Sequence, residues 1–475
     1  MKIWGKVKSG IKGIVNSATE ISNRMLQKRI IKEIDYGSFN PSRYRYSNIL
    51  ALCDEDKEKY KKILYFSFDK AKKRIGMKVK NKQKINVYFI VYTSTIWQYD
   101  SVYKTMQKSD LFNPVIVLTV FADTNMDASY DQYLMSKKWF IDNGYNILSM
   151  CDNKSRHANV SWDKLAADII FVTGPYTVFP KELCSWNASL NSLVCYAPYG
   201  AYIDVQNEWF YNLPIKRYAW KLFYETEINR KIASGISPLG DENVIVTGYT
   251  KMDTYYSDIP VDENAIWKIS SSKQKKIIFA PHHSLERKEN KFSTFDLNFR
   301  FILEYAKKNC EKTTWIYKPH PMLRRESVDV GLFKSIADYD KYVYEWDSLP
   351  NGRAVLTGDY SSIFKSSDAI ILDSESFLLE YQYVNKPMCY LRRETQAFNE
   401  LGNAILDSCY QVPGEDFDGI KNFIEEVVVG EDDKKREERE EMFRTILDYY
   451  GIYGKLAAEQ VVDHISRELT LDKID

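Results

Sequence analysis

Two stretches of this chain put reactive side chains at the ends of apolar runs. In the first, Ile370-Ile371-Leu372 leads through Asp373-Ser374-Glu375-Ser376 into Phe377-Leu378-Leu379-Glu380-Tyr381. This reads as a short buried strand running straight into a helix, with hydroxyls and carboxylates packed at the junction. Ser374 and Ser376 can cap the helix start, where unpaired backbone N–H groups and the positive end of the dipole gather. Such a junction suits a phosphate. In the second stretch, Trp315-Ile316-Tyr317 ends in Lys318-Pro319-His320-Pro321, which offers a cation and an acid/base group held between prolines. One anion-loving strand end and one carrying a histidine together suggest a site for an activated phosphoester. Lys318 and Arg324 are supporting cations. His282 and His283 follow Phe279-Ala280-Pro281, so three of the five histidines fall at two strand ends. Either one of this pair faces a cleft, or one is buried and hydrogen-bonded and the other exposed. A zinc site built from His282, His283 and His320 has no Cys/His spacing behind it, so no metal is assigned.

These residues resemble a family. Lys318-Pro319-His320-Pro321 is similar to the "(R/K)PHP" motif of the CDP-glycerol glycerophosphotransferases, the teichoic-acid-type polymerases. Leu372 to Ser376, with Glu380 and Asn385-Lys386-Pro387, resembles their "TDYSS…FD…KP". Ile277 to Pro281 resembles "ILYAP", and Gly248-Tyr249-Thr250-Lys251-Met252-Asp253 resembles "GYPRND". The four motifs stand in the family's order across roughly residues 190–395. Gly358-Asp359-Tyr360-Ser361-Ser362 spells "DYSS" more literally, yet it is read as a decoy: only the later copy is followed by a long helix and Lys386-Pro387. The resemblance implies a GT-B fold and a histidine, His320, that contacts donor phosphate. It also implies a phosphate cradle around Asp373, Ser374, Glu375 and Ser376, with Lys318, Pro319 and Arg324 beside it. Lys251 and Gly200 are further cleft candidates.

The chain departs from that pattern in three places. The family's "WHGTPLK" histidine, its expected general base, corresponds to Tyr199 in Tyr196-Ala197-Pro198-Tyr199-Gly200. A tyrosine with its ordinary pKa of about 10 is poorly matched to taking a proton at neutral pH. Tyr199 then either orients substrate as a donor, has a depressed pKa, or leaves the base to another group; His157, Asp204 and Glu208 are near in sequence. Ser374-Glu375 replaces Tyr-Ser, and Ser284 stands where arginine is common. Glu375 would repel a pyrophosphate unless it binds ribose hydroxyls or an amino group.

The elements that must position these groups follow from apolar patterning. A chain of 475 residues is too long for one ordinary core. Runs at Ile85–Val91, 113–120, 145–147, 168–172 and 192–196 alternate with helical stretches. After a Trp- and Tyr-rich stretch, strands restart at 243–247, 276–279, 314–317, 354–357, 369–372 and 388–391. This rhythm predicts an α/β protein with two doubly wound Rossmann-like halves and a cleft between them, ligands binding at the strand carboxyl ends. The expected divisions are a basic amphipathic segment at 1–35, an acceptor domain at 36–235, a nucleotide-donor domain at 236–445 and a terminal helix at 446–475. That helix is expected to cross back onto the first domain, and the charged run 432–441 to be a solvated helix face.

Net charge is +1, which argues against nucleic-acid binding. The seven cysteines (Cys53, Cys151, Cys184, Cys195, Cys310, Cys389, Cys409) lack CxxC spacing and read as buried free thiols of a reducing compartment. No run reaches the ~20 apolar residues of a membrane span. In the first segment Lys2, Lys6, Lys8 and Lys12 interleave with Ile3, Trp4, Val7, Ile11, Ile14 and Val15. Such a helix can lie on an anionic membrane surface, pack on the first domain or dock a partner. The family works at the membrane's inner face, and this favours the first, with a cytoplasmic, peripheral location.

Together these readings predict a transferase without metal or cofactor. It moves a glycerophosphate-type or sugar unit from a CDP-activated donor onto a cell-envelope glycan or lipid-linked acceptor, in teichoic-acid-like or capsule polymer synthesis. His320 stabilises the leaving phosphate, Ser374 and Ser376 hold it, and Tyr199 faces the acceptor. The alternatives are a CMP-sugar (sialyl- or Kdo-type) glycosyltransferase, a nucleotide-sugar epimerase or hydrolase, and a non-catalytic partner of a polymer synthase.

Overall fold

The computed structural model describes residues 54–470, apart from 122–125, 152–155, 157–164, 166, 176–188, 190, 238, 258–259, 286–290, 357 and 359. The basic segment 1–35, His157, Cys53 and Cys184 lie outside the described residues. Two all-parallel sheets organise the rest. The first runs β3-β2-β1-β4-β5-β6-β7, with β1 Ile85–Val91, β2 Phe112–Leu118, β3 Ile147–Ser149, β4 Ile169–Val172, β5 Leu193–Tyr196, β6 Lys221–Tyr224 and β7 Val244–Val246. The second runs β10-β9-β8-β11-β12-β13, with β8 Lys275–Ala280, β9 Thr313–Tyr317, β10 Gly352–Ala354, β11 Ala369–Leu372, β12 Met388–Arg392 and β13 Tyr410–Pro413. Helices cover both faces of the sheets, so β4, β5, β9 and β11 are buried at every position.

The structure moves the domain division. β7 pairs with β6 from Leu222↔Val244 to Tyr224↔Val246, so it closes the first sheet and does not open the second. A boundary at 235/236 therefore cuts through the first domain. The strand β6 was not anticipated, because Lys221 and the surrounding aromatics hide a run of only four residues. The last helix, Ala457–Thr470, buries Ala458, Val461, Val462, Ile465 and Leu469 in the first-domain core. Its start is fastened by Asp253, which accepts from the backbone N–H of Ala457 and Ala458, both at 2.9 Å, and from the Tyr449 hydroxyl at 2.7 Å.

The charged run is not simply solvated. Arg439, 1% exposed, donates to Asp433 at 2.6 Å and to Asn385 Oδ1 at 3.1 Å, and so docks the helix Arg436–Met442 on the second domain. The described cysteines, Cys151, Cys195, Cys310, Cys389 and Cys409, are free thiols, and all but Cys310 are buried. Among the described residues no helix is long and apolar enough to cross a membrane.

Candidate active site

The three central strands of the second sheet, β9, β8 and β11, are neighbours, and their carboxyl ends carry His320, His282–His283 and Asp373–Ser376. Backbone bonds carry the ladder past the strands: Lys318 N–H donates to Phe279 O at 2.8 Å and His320 N–H to Pro281 O at 3.0 Å. The Pro319 and Pro321 rings limit the turn that follows. The result brings three imidazoles together. His283 stacks on His320 with centroids 4.1 Å apart and planes at 27°, and His282 meets His320 edge-on at 5.4 Å. One ring nitrogen from each histidine lies within 4.8 Å of the others.

A hydrogen bond fixes the state of the His320 ring. Met322 N–H donates to His320 Nδ1 at 3.1 Å. A backbone N–H can only donate, so Nδ1 presents a lone pair and the ring is neutral with its proton on Nε2. Burial, with Lys318 close by, agrees: it pulls His320 down to about 4. Lys318, 7% exposed, is drawn down to about 8 by desolvation. At neutral pH the strand end thus presents a neutral N–H donor and a single, mostly protonated lysine.

Asp373 is turned into the protein. Its carboxylate accepts from the backbone N–H of His282, from that of Thr294, and from Thr294 Oγ1 at 2.9 Å. Burial pushes it up to about 6, against those hydrogen bonds. Where a ligand-facing carboxylate was expected, the structure has a clamp that holds the ends of β8 and β11 together. Ser374 occupies the N-cap position of the helix Glu375–Glu380, with extended backbone (φ −85, ψ 140), but its side chain makes no capping bond. The expected capping role for this hydroxyl is not realised. Ser376 and Glu375 sit half-buried in the first turn.

Arg324 is placed away from this work. It forms a bidentate pair with Asp340, both bonds 2.7 Å, about half exposed on the surface. Lys386, expected as part of the "KP" element, caps carbonyls at the end of the helix Ser361–Ser366, donating to Lys365 O and Ser367 O.

The first domain meets this site through the loop after β5. Tyr99 and Gln98 hold that loop: Ala197 N–H donates to the Tyr99 hydroxyl at 2.9 Å, and Gln98 Nε2 donates to Ala197 O at 3.2 Å. The loop presents Tyr199 and Gly200, and a Cβ on Gly200 would lie 3.4 Å from Ser376 Oγ. Lys251 spans the two sides. Its ammonium lies 2.8 Å from Glu380 and 3.5 Å from the Tyr199 carbonyl. Glu380, fully buried, also accepts from the Tyr360 hydroxyl. The decoy segment therefore contributes after all, as support for the motif that follows it. Asp204, one of the alternative bases, is buried and accepts from Gln206 N–H at 2.7 Å, whereas Glu208 is exposed.

The description "CDP-Glycerol:Poly(glycerophosphate) glycerophosphotransferase" matches residues 215–467, more than half of the chain. The chain belongs to that glycerophosphotransferase family. The matched segment holds His282, His283, His320, Lys251 and the Asp373–Ser376 junction; Tyr199 and Gly200 lie before it. This family member is also similar in fold to solved structures. One is a histidine-to-asparagine variant of the wall teichoic acid polymerase TagF soaked with CDPG, at 11% identity and TM-score 0.52, covering 86% of this chain and 99% of that one. Another is the UDP-GlcNAc 2-epimerase of Neisseria meningitidis bound to UDP-GlcNAc, at 16% identity and TM-score 0.50, covering 81% and 100%. At such identities the likeness establishes the architecture, a GT-B pair of α/β domains. A comparison with curated proteins gave no match.

Proposed function

We propose that the protein transfers a glycerophosphate-type unit from a CDP-activated donor to a hydroxyl of a cell-envelope glycan or lipid-linked acceptor. The observation that carries this reading is the delivery of Lys318 and His320 at the end of β9 and of Ser374 and Ser376 at the end of β11, the two strands that flank β8, inside the segment that matches the family. The acceptor hydroxyl oxygen attacks the distal phosphorus, a new P–O bond forms, the bond to the bridging oxygen breaks, and the hydroxyl proton is released to solvent. CMP leaves with the electron pair. His320 Nε2–H and the Lys318 ammonium neutralise the departing phosphate, and the hydroxyls of Ser374 and Ser376 hold it. Such donors are worth most where water is scarce, and Lys318 is almost fully buried. Tyr199 lies on the opposite wall and orients the acceptor. In this scheme the side chains do the neutralising and no metal is invoked. The enzyme would work at the inner face of the cell membrane, with the basic segment 1–35 as its attachment.

Tyr199 in the place of the family's histidine favours one second reading, a CMP-sugar transferase, whose donor would be recognised by the same strand ends. Thermal-shift measurements with CDP, CMP, UDP, GDP and CDP-glycerol, on the wild type and on His320→Ala, decide the matter. A ligand that binds the native state raises its apparent stability. Stabilisation by cytidine nucleotides that disappears in His320→Ala is expected. CDP-glycerol exceeding CMP supports the glycerophosphate donor, and no response to any of the five would refute the transferase reading.

A further inference from the structure

His282 carries the same hydrogen-bond signature as His320. Ser284 N–H approaches its Nδ1 at 3.4 Å, and Ser284 Oγ lies 2.8 Å from the same atom. A backbone N–H can only donate, so Nδ1 is the acceptor, and the Ser284 hydroxyl, whose oxygen also accepts from Phe292 N–H at 3.0 Å, turns its proton to the same atom. Two donors at Nδ1 leave the ring neutral with the proton on Nε2. The backbone of His282 is anchored in turn, because its N–H is bound by Asp373, the residue that precedes Ser374. His283 has a different part: stacked on His320, it braces that ring.

A metal ion needs unprotonated ring nitrogens pointing at one place. In His320 and His282 the Nδ1 lone pairs accept from the backbone N–H of Met322 and of Ser284, which puts each ring's proton on Nε2. The convergence that looks like a metal triad is therefore chemically its opposite, a pair of N–H donors suited to an anion. We propose that His282 is a second binding residue for the donor's phosphate, gripping it through Nε2–H beside His320. This rests on the transferase reading above. It also gives a reason for the chain's departure at Ser284, where the family often has arginine: the serine sets the tautomer of the histidine that takes over part of the anion binding.

Three measurements test it. In the ligand-free protein, long-range proton–nitrogen NMR of the 15N-histidine-labelled chain at pH 7 should show His282 and His320 as Nε2–H tautomers. Either ring as an imidazolium or as the Nδ1–H tautomer would overturn the assignment. Titration with Zn2+ should give no site that depends on these rings; one equivalent bound by the wild type and lost in both His282→Phe and His320→Ala would make the cluster a metal site instead. Calorimetric titration with CDP-glycerol and CMP, checked for folding by thermal melts, should show His282→Phe binding about tenfold to a hundredfold more weakly, the worth of one hydrogen bond to a charged group. His282→Gln, which keeps an N–H donor, should recover part of that loss. Equal binding by wild type and both variants would refute the role of His282 and leave the transferase reading standing. No binding of either nucleotide by the wild type would remove both, whatever the tautomers.

Discussion

Replacing Lys251 by methionine should leave a buried carboxylate without its cation. Glu380 is fully buried, and Lys251, 27% exposed, is its partner at 2.8 Å. Deleting one member of a buried pair strands the other, at roughly 3–5 kcal/mol. Two features lower the figure. Lys251 reaches solvent over a quarter of its surface, and the hydroxyls of Tyr360 and Tyr249 remain near the carboxylate, the latter at 3.4 Å. A loss of about 2–3 kcal/mol is therefore expected. For a domain of 150–250 residues that corresponds to a fall of roughly 4–12 °C in melting temperature. Scanning calorimetry of the wild type, Lys251→Met, Glu380→Gln and the double variant closes a cycle. The double variant should be more stable than Lys251→Met alone, because it no longer buries an unpaired charge. A Lys251→Met protein within about 0.5 kcal/mol of wild type, the range of an ordinary surface change, would refute the argument. So would a double variant that recovers nothing.

Gly248 has φ +88, and a Cβ there would lie 2.0 Å from the Tyr449 ring, so Gly248→Ala should destabilise by at least about 2 kcal/mol, read from the urea midpoint. Arg324→Ala should change stability by less than about 1 kcal/mol and leave nucleotide affinity unchanged, since its pair with Asp340 is at the surface; a large loss of affinity by calorimetry would return it to the site. His320 titrates at about 4 in the fold against 6.5 ordinarily. Between those values the unfolded chain binds a proton that the native state refuses, so the His320 contribution to stability falls as pH drops from about 6.5 towards 4. Asp373, pushed up from 3.8 to about 6, has the opposite sign, its contribution being lost as pH rises through about 6. His320→Gln should therefore flatten the acid-side loss of stability in urea titrations from pH 6.5 to 4; an unchanged slope would contradict the shift.

The strand ends that carry His320, His282 and Ser374 were legible in the sequence because each is local: a short apolar run followed within a few residues by the polar group it delivers. The family motifs were legible for the same reason. The parallel rhythm announced two sheets, but not which sheet β7 joins, since Val244–Val246 reads the same at either edge. Nor does sequence reveal where long side chains go. Arg324 stands four residues from His320, yet Asp340 draws it to the surface; Arg439 stands in a charged run, yet it is buried against Asp433. In the first domain Lys216 is wholly buried, its ammonium 4.0 Å from the Tyr202 ring centroid and within 5.5 Å of those of Tyr196, Tyr211 and Tyr224, an enclosure drawn from separate elements. The same holds for the chemistry of the site. Which imidazole nitrogen bears the proton, and whether Asp373 faces a ligand or the protein, depend on hydrogen bonds to Met322, Ser284 and Thr294. Residue types and spacing determine what groups reach the cleft. Only the folded surroundings, through burial and the partner at the other ring nitrogen, decide their charge and which way they donate.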